Sequence, residues 1–199
     1  MNQPARTLGA ILYEGFELLD LYGPLEMFGS LGPARLRIVT VAQAPGAIAS
    51  VQGPKTLAEH GFDDAPPLDL ILLPGGIGTV PQLGNAAMLE FLRTRAPRAQ
   101  VTMSVCSGSA ILAKAGLLDG RRATSNKMFF ELATAQSEKV DWIEKARWVE
   151  DGPFVTSSGV SAGTDMALSV IEKLWGPELA QIVSDMTEYE RQTDPTRDP

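Results

Sequence analysis

The chain holds one thiol, Cys106, and one imidazole, His60, and the thiol is its first candidate for covalent chemistry. Cys106 follows an apolar run, V-T-M-S-V, and is followed at once by Ser107, Gly108, Ser109 and Ala110. A helical run comes next and stops at Asp119-Gly120. Strand, sharp turn bearing one nucleophile, then helix is the layout of a nucleophile elbow. A thiol at the start of a helix is favoured as thiolate, the form that attacks carbon. The small neighbours leave room for backbone and substrate to approach closely. The alternative is a buried structural cysteine that fills space.

A nucleophile needs a proton partner. His60 lies in the polar stretch K-T-L-A-E-H-G-F before a turn, which suits a surface or structural role better than a Cys–His pair. Asp20 lies in L-L-D-L-Y, among apolar neighbours. A carboxyl there loses water and its pKa rises. Beside Cys106 it could stay protonated, donate to the sulfur or shuttle a proton, the two titrating as one coupled pair. The alternative for Asp20 is a cap on the turn before Gly23-Pro24, and Glu14 and Glu17 are competing carboxylates. Gly75, Gly76 and Ile77 follow a buried apolar run. Their backbone N–H groups are candidates for an oxyanion hole, or the glycines simply make a tight turn.

Several elements must position these groups. Residues 7–13, 35–42, 68–73 and 100–105 are short apolar runs that read as buried strands. Gly23-Pro24 reads as a helix start, since proline at the first helical position loses no needed bond. Residues 45–61 are punctuated by Gly and Pro and hold a small hairpin; residues 81–95 and 107–118 read as helices. A short strand, a short helix, a hairpin turning at Asp151-Gly152 and two helices complete the pattern. Strands alternating with helices imply an α/β fold with a mainly parallel sheet covered on both faces. Ligands then bind at the carboxyl ends of strands near a switch in strand order. The stretch 14–20, Gly75-Gly76 and Cys106 all fall at such ends. The expected organisation is one domain over residues 1–190 and a loose polar tail over 191–199.

Composition removes other classes of function. A net charge of -7 argues against nucleic acid as a partner. No apolar run has the length of a membrane span, and the first residues lack the apolar core of a signal peptide. One cysteine forms no internal disulfide, which fits a cytoplasmic location. One Cys and one His make no zinc site, and no phosphate-cradling glycine motif is present. Neither a metal nor another cofactor is expected; the expected partner is a small-molecule substrate.

With these residues placed, the chain resembles the ThiJ/PfpI superfamily, which has a flavodoxin-like three-layer α/β sandwich of the class I glutamine amidotransferase type. The resemblance rests on D-L-Y-G-P (20–24), L-P-G-G (73–76), V-C-S-G-S (105–109), A-G-L-L-D-G-R-R-A-T (115–124) and S-S-G-V-S-A-G-T-D (157–165). Within it the chain looks most like isocyanide hydratases and the ligand domains of AraC-type regulators. The resemblance implies Cys106 as nucleophile, Asp20 as its acid/base partner, and Ser107 where threonine is usual. It implies attack on an isocyanide carbon, a thioimidate, and release of an N-substituted formamide. It also implies a homodimer. Gly108, Asn126 and Val160 join Gly75, Gly76 and Ile77 as residues expected around the substrate. Asn126 and Lys127 stand where histidine and an aromatic residue are common. No helix-turn-helix module follows the domain within the 199 residues, so a stand-alone transcription factor is not expected. Two other readings stay open: a redox sensor or stress protein acting through Cys106, and a ligand-binding module without chemistry.

Overall fold

The computed structural model describes residues 4–198; Met1–Gln3 and Pro199, which belong to the expected domain and tail, lie outside the described residues. The first half of the chain forms β1 (Arg6–Ile11), α1 (Leu18–Gly29), β2 (Leu36–Val41), β3 (Gly46–Ala49), β4 (Lys55–Ala58), β5 (Leu70–Leu73), α2 (Thr79–Gln82) and α3 (Ala86–Arg95). The second half forms β6 (Val101–Val105), α4 (Gly108–Lys114), β7 (Arg122–Ala123), α5 (Phe130–Thr134), β8 (Asp141–Trp142), β9 (Trp148–Asp151), β10 (Phe154–Ser157), α6 (Ala162–Trp175) and α7 (Pro177–Met186).

Six strands make one sheet in the order β2-β1-β5-β6-β10-β9, parallel throughout except for β9. Every residue of β5, β6 and β10 is buried, which is why these runs lack a polar alternation. The chain leaves β1 toward β2 on one side and later crosses to β5, β6 and β10 on the other. Right-handed crossovers then put α1 on one face and α3 and α4 on the opposite face. α6 packs on α1 and α7 on α6, while α4 packs on α3 and α5. The result is the expected three-layer α/β sandwich. The strand order reverses between β1 and β5, so the carboxyl ends of β1, β5 and β6 meet where a ligand would bind. Among the described residues no helix is long and apolar enough to cross a membrane.

Two elements differ from the sequence reading. α1 begins at Leu18, and Gly23-Pro24 lies inside it rather than at its start. Proline there costs the Asp20 carbonyl its helical donor. Packing outweighs this: a Cβ on Gly23 would lie 2.7 Å from Thr164 Oγ1, and one on Gly163 would lie 3.3 Å from Pro24 Cγ. The shift places Asp20 in the first helical turn, facing inward. The helix expected over residues 81–95 is two helices, broken at Asn85, whose Oδ1 accepts from the Ala87 and Met88 N–H groups as an N-cap.

The tail is also docked rather than loose. The Gln192 N–H donates to Asp165 Oδ1 at 2.9 Å, and the Arg147 N–H donates to the Pro195 carbonyl at 2.7 Å. Asp165 is fully buried and also pairs with the Arg147 guanidinium. A buried carboxylate and the edge of β9 both need partners, and residues 191–198 supply them. Composition alone does not show that need.

Candidate active site

The elbow expected at Cys106 is present and strained. Cys106 has φ +57°, in the left-handed region that favours glycine. Four contacts hold it. Its N–H donates to the Ser157 and Ser158 carbonyls, both at 3.2 Å, at the end of β10. Its carbonyl accepts from the Ser109 and Ser125 hydroxyls, both at 3.2 Å. Gly108 lets α4 sit close on the neighbouring strand end: a Cβ there would lie 2.6 Å from the Leu73 carbonyl oxygen.

Asp20 meets this thiol. Its side chain is fully buried and close enough to Cys106 for each group to shift the other's titration. Its Oδ2 accepts from the Gly75 N–H at 2.9 Å, and its Oδ1 has no hydrogen-bond partner in the protein. Burial raises the Asp20 pKa to about 8, with the nearby Glu17 charge acting the same way; the Gly75 bond and the Cys106 contact oppose the rise. Cys106 is pushed up to about 12, by burial first and then by the Asp20 charge, although the Ser107 backbone and hydroxyl act the other way. The expectation that the helix start would favour thiolate is therefore reversed. α4 has only seven residues, and loss of water around the sulfur is the largest cause of the rise.

The glycine loop is also corrected. The Gly75 N–H is committed to Asp20 and the Gly76 N–H donates to Ser107 Oγ at 3.1 Å. Neither is free as an oxyanion donor. Gly75 instead fixes the acid, and its missing side chain is required because a Cβ would lie 2.6 Å from the Ser107 nitrogen. Gly76, at φ +126°, turns the loop against Gly15. Ile77 is exposed beside them. Ser107 Oγ also shares a 2.9 Å bond with Thr79 Oγ1, and Thr79 bonds the Tyr13 hydroxyl at 3.1 Å, which donates to the Pro74 carbonyl at 2.6 Å. Tyr13 and Thr79 are absent from the sequence reading. Tyr13 had one visible signal, a polar-tipped aromatic at the end of a buried strand; Thr79 had none.

The other candidates divide. Asn126 Oδ1 accepts from the Met128 and Phe129 N–H groups, at 2.8 and 3.3 Å, so it caps a turn. Its amide lies against Gly159, where a Cβ would be only 1.9 Å from Nδ2. Asn126 thus caps its own turn and packs against the Gly159 loop. Val160 is half-buried in the loop that follows Ser158. Glu14 Oε2 accepts from the Ala49 N–H in the hairpin, while Glu17 precedes α1 beside Asp20. His60 bridges to Val41 at the end of β2, three strand spacings from β6, or roughly 14 Å. It pairs loosely with Asp64 and does not reach Cys106. Among the described residues no group of three His, Cys, Asp or Glu side chains could hold a metal ion. A cavity of about 330 Å³ opens beside Tyr13 and Glu14, and a larger one of about 580 Å³ lies far from the thiol, between β9, α6 and the tail.

Comparison with known proteins agrees with this geometry. The sequence profile of the DJ-1/PfpI family matches residues 8–173. Isonitrile hydratase of Pseudomonas putida is 36% identical over 186 residues, covering 93% of this chain and 79% of that protein. The HTH-type transcriptional regulator GbdR of Pseudomonas aeruginosa is 30% identical over 96% of this chain, which spans about half (52%) of the regulator. The crystal structure of a ThiJ/PfpI family protein from Pseudomonas syringae superposes with a TM-score of 0.85 at 34% identity, covering 96% of this chain and 78% of that one. Drosophila melanogaster DJ-1beta, at 20% identity, shares the fold with a TM-score of 0.81, covering 94% of this chain and 99% of that one. A buried thiol on a strained elbow, in a fold and sequence matched along most of its length, makes this chain a member of the DJ-1/PfpI family.

Proposed function

We propose that this protein hydrates isocyanides to N-substituted formamides, with Cys106 as nucleophile and Asp20 as proton donor and acceptor. The observation that carries the reading is Asp20, a fully buried carboxyl with one unpartnered oxygen beside the only thiol in the chain. Similarity to isonitrile hydratase supports it.

Having lost one proton, the pair rests mainly as carboxylate beside thiol, and the reactive form is the minor arrangement in which the sulfur proton has moved to Asp20, leaving thiolate next to carboxylic acid. The sulfur attacks the terminal isocyanide carbon and forms a C–S bond. That carbon gains negative charge and takes the Asp20 proton, giving a thioimidate, R–N=CH–S. Asp20, now a carboxylate, takes a proton from water as the water oxygen adds to the same carbon, and passes that proton to nitrogen. It then takes the hydroxyl proton as the C–S bond breaks. The thiolate and the carboxylic acid are restored and R–NH–CHO leaves. Two easier steps replace one difficult hydration, and no histidine is needed. Ser107 holds the Gly76 loop through its hydroxyl and opposes the rise of the Cys106 pKa.

The pair loses its first proton near the raised Asp20 value, so kcat/KM rises with pH through about 8. The test is conversion of an alkyl isocyanide, followed by formamide formation. Cys106→Ala is expected to reduce turnover roughly a thousandfold or more; unchanged turnover in that variant refutes the proposal. A ligand-binding role draws on the match to GbdR; isocyanide bound without turnover would favour it.

The proposal includes a homodimer. Leu19 and Tyr22 on α1 and Leu57 on β4 are exposed, and a 2.7 Å bond between Tyr22 and Thr56 joins the two elements into one surface. Light scattering is expected to give twice the chain mass; the single mass at micromolar concentration would rule the dimer out.

A further inference from the structure

Lys127 does not belong to the thiol–carboxyl pair, but it is bound to both loops that hold Cys106. Its Nζ donates to the Ser125 carbonyl at 3.2 Å and to Ser158 Oγ at 3.1 Å. Ser125 bonds the Cys106 carbonyl through its hydroxyl, and Ser158 accepts the Cys106 N–H through its carbonyl. Nζ also reaches the Ala146 carbonyl at 3.3 Å. Its charge is met by Asp198, whose Oδ2 lies 2.8 Å away in an ion pair without hydrogen-bond geometry. The Asp198 side chain is only 5% exposed and the Lys127 side chain 31%. A carboxylate this far from water needs a charged partner, and Lys127 supplies it. Asp198 belongs to the docked tail, which is tied upstream through Arg191 to Glu172 and through Gln192 to Asp165.

We propose that Lys127 is the positioning residue of the Cys106 turn, and that the C-terminal segment holds it in place through Asp198. A left-handed, non-glycine residue persists only while its surroundings over-determine it. Two of the four contacts on the Cys106 backbone come from residues that Lys127 joins. Releasing Lys127 lets the Ser125 and Ser158 loops part and admits water to the sulfur. The burial that suppresses the thiolate then weakens. The charged and titratable groups facing Cys106 are Asp20 from α1 and Tyr13 from the end of β1, with Glu17 behind Asp20; among the described residues the charged group paired with Lys127 is Asp198. As a statement about catalysis the inference rests on the hydratase reading. As a statement about the thiol it does not.

Because Cys106 is the only cysteine, alkylation by iodoacetamide, followed by intact mass, reports on it alone. Lys127→Met, Asp198→Asn and the double variant are compared with the native chain from pH 6 to 10. Each single change is expected to speed alkylation at pH 8 about tenfold, the equivalent of about one unit in thiol pKa. The double variant is expected to react no faster than the faster single, and Asp198→Glu to return toward native behaviour. Profiles of both single variants that superpose on the native one overturn the proposal. Additive effects overturn the link between tail and lysine. If Lys127→Met fails to fold, Asp198→Asn decides the matter alone. Alkylation needs no isocyanide, so absence of hydration in the native protein leaves this test intact. Where hydration is found, both variants should also lower kcat, and unchanged kcat overturns the catalytic part.

Discussion

Replacing Asp20 by asparagine removes a titrating proton while keeping the shape of the side chain. The native carboxyl is fully buried, holds one backbone N–H and leaves its other oxygen unpartnered. Its pKa is raised to about 8, chiefly by burial, against an ordinary value of 3.8. The folded state therefore holds this proton across a pH range where the unfolded chain has released it. The stability it contributes is complete below the unfolded value and is lost as pH rises through about 8. One unit is worth about 1.4 kcal/mol, so between pH 5.5 and 8 the native protein loses up to about 3 kcal/mol from this one group. Against a typical total of roughly 5–15 kcal/mol, that is a large share. Cys106, pushed up to about 12, does not titrate in that window. Asparagine has no proton to lose, so any new contact it makes adds only a constant. Urea unfolding of both proteins at pH 5.5, 6.5, 7.5 and 8 should show the variant gaining on the native chain by about 3 kcal/mol across the series. It should be inactive throughout, since an amide neither gives nor takes the proton. Two parallel stability curves would refute the reasoning that Asp20 is a protonated acid held out of water.

A further prediction concerns the floor of the elbow. Gly108→Ala puts a Cβ 2.6 Å from the Leu73 carbonyl oxygen and 2.8 Å from that of Pro74, both rigid backbone. The urea midpoint should fall by the equivalent of roughly 1–3 kcal/mol, and Cys106 alkylation should change with it; an unchanged midpoint would show that α4 is not seated on β5 as described.

Cys106 and Asp20 were both legible before any fold was known. The thiol sits in a local pattern of strand, small residues and helix, and the acid is a local anomaly inside an apolar run. The glycines after β5 were legible as a turn, but the direction of their N–H groups was not, because it depends on Asp20 and Ser107, 55 and 31 residues away from their bonding partners. The same holds for the Tyr13–Thr79–Ser107 chain of hydroxyls and for the serines around the Cys106 backbone. Serine is common and leaves no periodic trace, so these residues become a group only when β6, β10 and the loop after β7 converge.

The order of elements, the parallel sheet with its switch point and the presence of an elbow at Cys106 follow from the sequence by itself, since each depends on short-range pattern and on the handedness of chain crossovers. Tertiary structure alone decided four things. α1 starts before Gly23-Pro24 because packing on α6 outweighs a lost hydrogen bond. The thiol is suppressed because it is buried beside Asp20. The glycine amides serve Asp20 and Ser107 because those side chains fold onto them. The tail docks because buried Asp165 and the edge of β9 need hydrogen-bond partners, and because Lys127 pairs with Asp198. Each outcome turns on desolvation and on partners distant in sequence, which no local pattern records.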